Sequence, residues 1–158
     1  MSQPGDRESR QDIAEVLVRY ASAVDGRDWD LLRSCFTSDC RAEYGGLGAW
    51  QGVDALIAFM VDAHARMGPS LHRISNAAIT VTGDRASART YVDMVGMSPD
   101  GASGVTSIGR YDDELVQMDG GWRITRRRFT PIRFAPWRAD TARCARSHNW
   151  TTFKTGVQ

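Results

Sequence analysis

Cysteine and histidine are sparse in this sequence, three of each, and several signals that would direct a reading toward cofactors, membranes or polyanions are missing. Cys35, Cys40 and Cys144 are odd in number and not paired at metal-ligand spacing, so neither a disulfide framework nor a zinc site is read from them. Buried thiols are the ordinary outcome. Charge of one sign is not in excess: 20 Lys plus Arg oppose 19 Asp plus Glu, a formal net charge of +1. That balance supplies no field to gather phosphates or anionic lipid, so nucleic acid and membrane are not expected partners. No apolar run approaches the roughly 18 residues of a membrane helix. The start, Met1 to Arg10, is polar, with charges of both signs and no signal-peptide core, from which a soluble, cytoplasmic protein is expected. There is no Gly-x-Gly-x-x-Gly after a strand, no phosphate loop and no Gly-x-Ser-x-Gly elbow, so nucleotide, phosphoryl and serine-hydrolase chemistry lack their parts. No metal and no cofactor are expected.

What is present suits one globular domain. Hydrophobic residues make up 42% and charged residues 25% of 158, far from the composition of a disordered chain, and this length buries roughly two-thirds of the surface the unfolded chain exposes. Ile13, Val16, Leu17, Tyr20, Ala21 and Val24 recur at three- and four-residue steps, which predicts an amphipathic helix over 7–24. Gly26 ends it, and Asp28 caps a shorter helix through Trp29, Leu31, Leu32 and Phe36. A third helix is read from Val53 to Met67, stopped by Gly68-Pro69. The period then becomes strand-like. Leu71 to Val81 and Ala86 to Met97 flank a turn at Thr82-Gly83-Asp84-Arg85, and Val105 to Met118 and Trp122 to Ile132 flank Asp119-Gly120-Gly121. Three helices followed by antiparallel strands, without βαβ alternation, read as a segregated α+β domain whose curved sheet wraps the helices. The domain is placed at 1–134. The weakly periodic tail, 135–158, is read either as packing on the domain or a neighbouring subunit or as a frayed end.

Several short motifs fall in a characteristic order: Tyr20-x4-Asp25 at the end of the first helix, Asp28-Trp29 leading to Phe36-x2-Asp39, and Gly52 opening a helix. His72-x3-Asn76, Gly83-Asp84-Arg85-Ala86 and Gly121-Trp122-Arg123-Ile124 before Arg128 come next. Over roughly 12–133 this order resembles the SnoaL-like, nuclear transport factor two-like family, which includes scytalone dehydratase, a bile-acid dehydratase, a hexachlorocyclohexane dehydrochlorinase and polyketide cyclases. The resemblance implies a cone-shaped α+β barrel, three N-terminal helices packed in a strongly curved, mostly antiparallel sheet, around one internal pocket. It also implies a homo-oligomer, dimer or trimer, since related domains often associate through the outer sheet face.

In the dehydratase and dehydrochlorinase branches an Asp at the end of the first helix holds a His that removes a proton from carbon. The resemblance puts Asp25 and His72 in those roles, with Arg128 and the Tyr20 phenol stabilising developing negative charge. The chemistry suits these residue types, because imidazole titrates near working pH and a neighbouring carboxylate fixes its tautomer. Strand alternation puts Asn76 on the face of His72, able to bind a substrate oxygen. It puts Tyr91 and Asp93 together on a mixed face of pocket-like composition, and it puts Trp122, Ile124, Arg126 and Arg128 on one face with Arg127 on the other. Trp29, Tyr44, Trp50 and Phe59 are candidate pocket-lining residues, while His64 reads as solvent-facing. The expected function is a cofactor-independent lyase or isomerase, a dehydratase or cyclase, acting on a small, largely apolar organic substrate. A non-catalytic small-molecule-binding or subunit-assembly domain of the same fold, such as a dioxygenase small subunit, is the alternative.

Overall fold

A computed structural model describes residues 4–139, and the expectations for 140–158 lie outside them. Helix α1 (Pro4–Gly26) buries Ile13, Val16, Leu17, Tyr20 and Val24, the stripe that the apolar spacing marks out. Its C-terminus closes with Asp28 N–H donating to the Ala23 carbonyl and Arg27 N–H to the Val24 carbonyl. That pair of hydrogen bonds requires a left-handed residue just past the helix. The residue is Arg27, at φ 56°, rather than the neighbouring Gly26. Asp28 then caps α2 (Trp29–Ser34), accepting from Leu31 N–H.

Helix α2 stops before Phe36, which opens the first of two strands absent from the sequence reading: β1 (Phe36–Tyr44) and β2 (Ala49–Gln51) come next, before α3 (Val53–His64), which ends short of the expected Met67. The long strands are β3 (Ser70–Thr82), β4 (Arg85–Met97), β5 (Ser103–Met118) and β6 (Gly121–Arg138), so β6 runs past position 134. The six strands form one sheet in the order β2-β1-β6-β5-β4-β3. Every neighbour is antiparallel except β1 with β6, which makes the sheet mixed, and it is open at both edges. Helix α1 packs on β3 and β6, and α3 packs on β1 and β2. One core of helix stripes and inner sheet face results, containing Leu32, Cys35, Cys40, Ala42, Leu56, Val92, Leu115, Trp122 and Ile124.

Three breaks in the register of the long strands decide which side chains face inward. In β3 one extra residue lies between the pairs Ser75↔Tyr91 and Ala78↔Arg89, with Asn76 at φ 51°. In β6 the pairs Glu114↔Arg126 and Leu115↔Ile124 leave Thr125 extra, and Ile108↔Arg133 and Gly109↔Pro131 leave Ile132 extra. Each such bulge exchanges the inward and outward parity of the residues beyond it.

Candidate functional site

The C-terminus of α1 and the first residues of β3 meet at Asp25 and His72. His72 Nδ1 lies 2.7 Å from Asp25 Oδ1, and the His72 backbone N–H donates to Asp25 Oδ2 at 2.7 Å. A carboxylate only accepts, so in the neutral ring Nδ1 carries the proton and Nε2 keeps the lone pair. Both side chains are largely covered, 9% exposed for His72 and 20% for Asp25. Burial alone pushes the Asp25 carboxyl up; the hydrogen bonds and charge of His72, with a bond from Ser70, outweigh it and hold the carboxyl below its ordinary range. His64 is half-buried rather than solvent-facing: its Nδ1 is 2.7 Å from the Met60 carbonyl and its ring centroid 5.8 Å from that of Trp29. Burial, Arg27 and His72 lower its pKa against the pull of the Met60 carbonyl.

A second constellation lies around Tyr20, five residues and therefore about 7.5 Å of helix rise before Asp25. The Tyr20 and Tyr44 hydroxyls are 2.9 Å apart and buried. Tyr44 packs in turn near Trp50, Phe59, Tyr111 and Phe129, and Trp50 stacks on Phe59 at 3.8 Å. Into this aromatic wall projects Arg127, 1% exposed, its guanidinium 4.0 Å from the Tyr20 ring centroid and 4.1 Å from that of Tyr111. Its Nε and Nη2 both bond Asp113 at 2.7 Å, whereas buried Nη1 has no partner among the described residues. Burial works against the charge of Arg127, but the Asp113 carboxylate overrides it and keeps the guanidinium charged. Burial likewise pushes the Tyr44 and Tyr111 phenols well above their ordinary values, so both remain hydrogen-bond donors at working pH.

Five residues that the sequence reading puts on a pocket face stand outside the interior. Arg128 lies on the outer face, 55% exposed and bonded to Glu43 at 3.1 Å, and Arg126 also reaches Glu43. The bulge at Thr125 is the cause: it turns Trp122 and Ile124 inward together with Arg127 instead of Arg126 and Arg128. Asn76 is exposed on the β3 bulge, away from the face shared by His72 and Ile74. Asp93 pairs with Arg73 at 2.6 Å, and Tyr91 is 41% exposed. Both belong to the outward set of β4, because Ala88, Thr90 and Val92 take the inward positions. Alternation within β4 pairs Tyr91 with Asp93 but does not say which face is buried. A groove of about 720 Å³, lined by Arg89, Arg110, Asp112, Glu114, Arg126 and Arg128, opens on the outer side and includes neither member of the Asp–His pair.

The sequence reading also passes over Ser70, Arg27, Tyr111 and Asp113. A signal existed for Asp113: an acid on the strand paired with the Arg126-Arg127-Arg128 run. Among the described residues no group of three or more His, Cys, Asp and Glu side chains could hold a metal ion, and no helix is long and apolar enough to cross a membrane.

Helices leaning on an open, curved six-stranded sheet, with an Asp–His pair where the first helix meets the third strand, define a nuclear transport factor two-like α+β protein. Residues 6–128 match the model of the SnoaL-like domain, and the chain belongs to the SnoaL-like family. It is 32% identical over 120 residues to Rv2910c, an uncharacterized protein of Mycobacterium tuberculosis, a match covering 75% of this chain and 82% of that one. A Novosphingobium aromaticivorans structure provisionally named an aromatic ring hydroxylase is 31% identical, with a TM-score of 0.79 over 86% of this chain and 96% of its own. A second structure from that organism, provisionally named a scytalone dehydratase, superposes with a TM-score of 0.74 over 82% of this chain and 87% of its own. At 22% identity that likeness is one of fold.

Proposed function

We propose that this protein is a cofactor-independent lyase or isomerase, with dehydration or ring closure of a small, largely apolar organic molecule as its reaction. The observation that carries the reading is the double engagement of Asp25 by the ring and the backbone of His72, both at 2.7 Å. Such a carboxylate fixes the tautomer that leaves Nε2 basic and stabilises the imidazolium once it forms. In the dehydration, Nε2 takes a proton from a carbon beside an electron-withdrawing group. The C–H electron pair becomes the new C=C bond, and the neighbouring C–O bond breaks. The imidazolium returns its proton to the departing hydroxide, so water leaves and the base is regenerated. Arg127 replaces Arg128 as the cation proposed to face developing negative charge, with the Tyr20 and Tyr44 phenols beside it as donors.

The test is a panel of small hydroxylated polycyclic and alicyclic ketones incubated in deuterated water, with NMR detection of exchange of a carbon-bound proton. His72→Ala is expected to reduce exchange and turnover by roughly two to four orders of magnitude, and Asp25→Asn to be damaging as well. A folded His72→Ala that turns over at the wild-type rate removes the base assignment. Asp93 does not then inherit the role, since Arg73 holds it on the outer face.

A second reading is the non-catalytic one, a subunit-assembly domain of the same fold, for which the Novosphingobium relative named an aromatic ring hydroxylase is the starting point. Pull-down of a stoichiometric partner by this chain, together with no exchange on any substrate, would support that reading instead.

A further inference from the structure

Asp25 has more partners than one histidine requires. Besides the two bonds from His72, its Oδ1 accepts the Ser70 hydroxyl at 3.0 Å. Ser70 opens β3 two residues before His72, so the two side chains share a face. The Ser70 oxygen in turn accepts Arg27 Nη1 at 2.8 Å, and the same guanidinium donates to the Val24 carbonyl at 2.6 Å and, through Nη2, to the Gly68 carbonyl at 2.9 Å. The direction of each bond is forced. A guanidinium has no acceptor, so Arg27 must donate to Ser70. The hydroxyl proton of Ser70 then points away from Arg27, and the carboxylate oxygen is the acceptor within reach.

Arg27 makes these bonds from a left-handed backbone, φ 56°, beside a glycine that could have taken that conformation without steric cost. A side chain at this position is unfavourable in itself, and its three bonds are what it contributes. The groups around Asp25 are Arg27 from the corner after α1, His64 from α3, and Ser70 and His72 from β3.

We propose that Ser70 and Arg27 are positioning residues for the Asp25–His72 pair. Arg27 sets the Ser70 hydroxyl, and Ser70 fixes the rotation of the Asp25 carboxylate so that Oδ1 meets the ring while Oδ2 meets the backbone. This rests on the reading of His72 as the base, but the central measurement needs no substrate.

The experiment tracks the Asp25 carboxyl carbon by NMR through a pH titration in wild type, Ser70→Ala, Ser70→Thr and Arg27→Gly, with urea unfolding as the check on folding. Arg27→Gly suits the left-handed backbone and removes the cation. Ser70→Ala and Arg27→Gly are expected to move the Asp25 titration up toward the ordinary carboxylate range, whereas Ser70→Thr, which keeps the hydroxyl, leaves it in place. With a substrate from the panel, Ser70→Ala should lower kcat roughly tenfold, the loss expected for one hydrogen bond to a charged group, with KM within about twofold. An Asp25 titration that is the same in Ser70→Ala as in wild type overturns the proposal, as does a Ser70→Thr that behaves like Ser70→Ala. If instead His72→Ala leaves exchange untouched, the base reading fails, and the titration still decides whether Ser70 holds Asp25.

Discussion

Arg127 illustrates how much one side chain contributes and how context sets its sign. A guanidinium removed from water beside a single carboxylate gains little net stability relative to apolar residues of similar size, yet losing one partner strands the other charge. Arg127→Met leaves Asp113 buried and unpaired, and should cost about 3–5 kcal/mol. Adding Asp113→Leu should recover much of that loss, as both charges are then gone. Urea unfolding of the two single variants and the double variant measures this. A double variant no more stable than Arg127→Met would mean that the cation's contacts with the Tyr20 and Tyr111 rings, and not its pairing, supply the stability. The tyrosines bear on this, because a guanidinium over a ring face is attracted by its quadrupole, and this one lies over two.

At the scale of elements, the bulges are the devices that set the site. Without the extra residue Thr125, strand parity would deliver Arg126 and Arg128 inward and expel Arg127. The break in β3 is held by Asn76 in a left-handed conformation, which a short polar side chain tolerates and a β-branched one does not. Asn76→Val is therefore expected to destabilise the fold by roughly 1–2 kcal/mol and Asn76→Gly to change it little, read from the shift in urea midpoint. Equal stability of the two variants would mean that the register break does not depend on that backbone angle. The helices were legible because their signals are local: the stripe from Ile13 to Val24, the Asp28 cap and the apolar run opened by Gly52, although α3 ends at His64, short of the Gly68-Pro69 pair. Strand β1 also carries a local signal, Cys40, Ala42 and Tyr44 inward against Asp39, Arg41 and Glu43. It comes directly after a helix, so it reads as connection until its pairing with β6 is seen.

For the whole molecule, the dyad links folding to pH. The Asp25 carboxyl lies below its ordinary value in the folded state, so its contribution is fully present above the unfolded value of about 4 and is lost as pH falls through the lower folded value. Asp113 works in the opposite direction, since burial raises its carboxyl in spite of Arg127. Between pH 7 and acid, the urea midpoint of wild type should fall, and that of Asp25→Asn should fall less. Parallel curves would show that Asp25 carries no part of the acid sensitivity.

Periodicity and turn residues determined by themselves the three helices and the two long antiparallel hairpins, because those signals lie within a few neighbours along the chain, whereas β1 and β2 between α2 and α3, and the parallel pairing of β1 with β6, were not among them. Motif order brought Asp25 and His72 forward together, since each stands at the end of an element whose boundary the sequence marks. Tertiary structure alone decided which residues share the interior with them. One extra residue in a strand inverts every side chain beyond it, and no composition or spacing announces the insertion. That is why Arg127 stands inside and Arg128 outside, and why Asn76 leaves the face of His72. Tyr91 and Asp93 look outward because packing chose the buried face of β4. The Arg27–Ser70–Asp25 chain likewise depends on packing. Ser70 lies 43 positions beyond Arg27 and 45 beyond Asp25, and only the packing of α1 against β3 brings a hydroxyl, a cation and a carboxylate within hydrogen-bond distance.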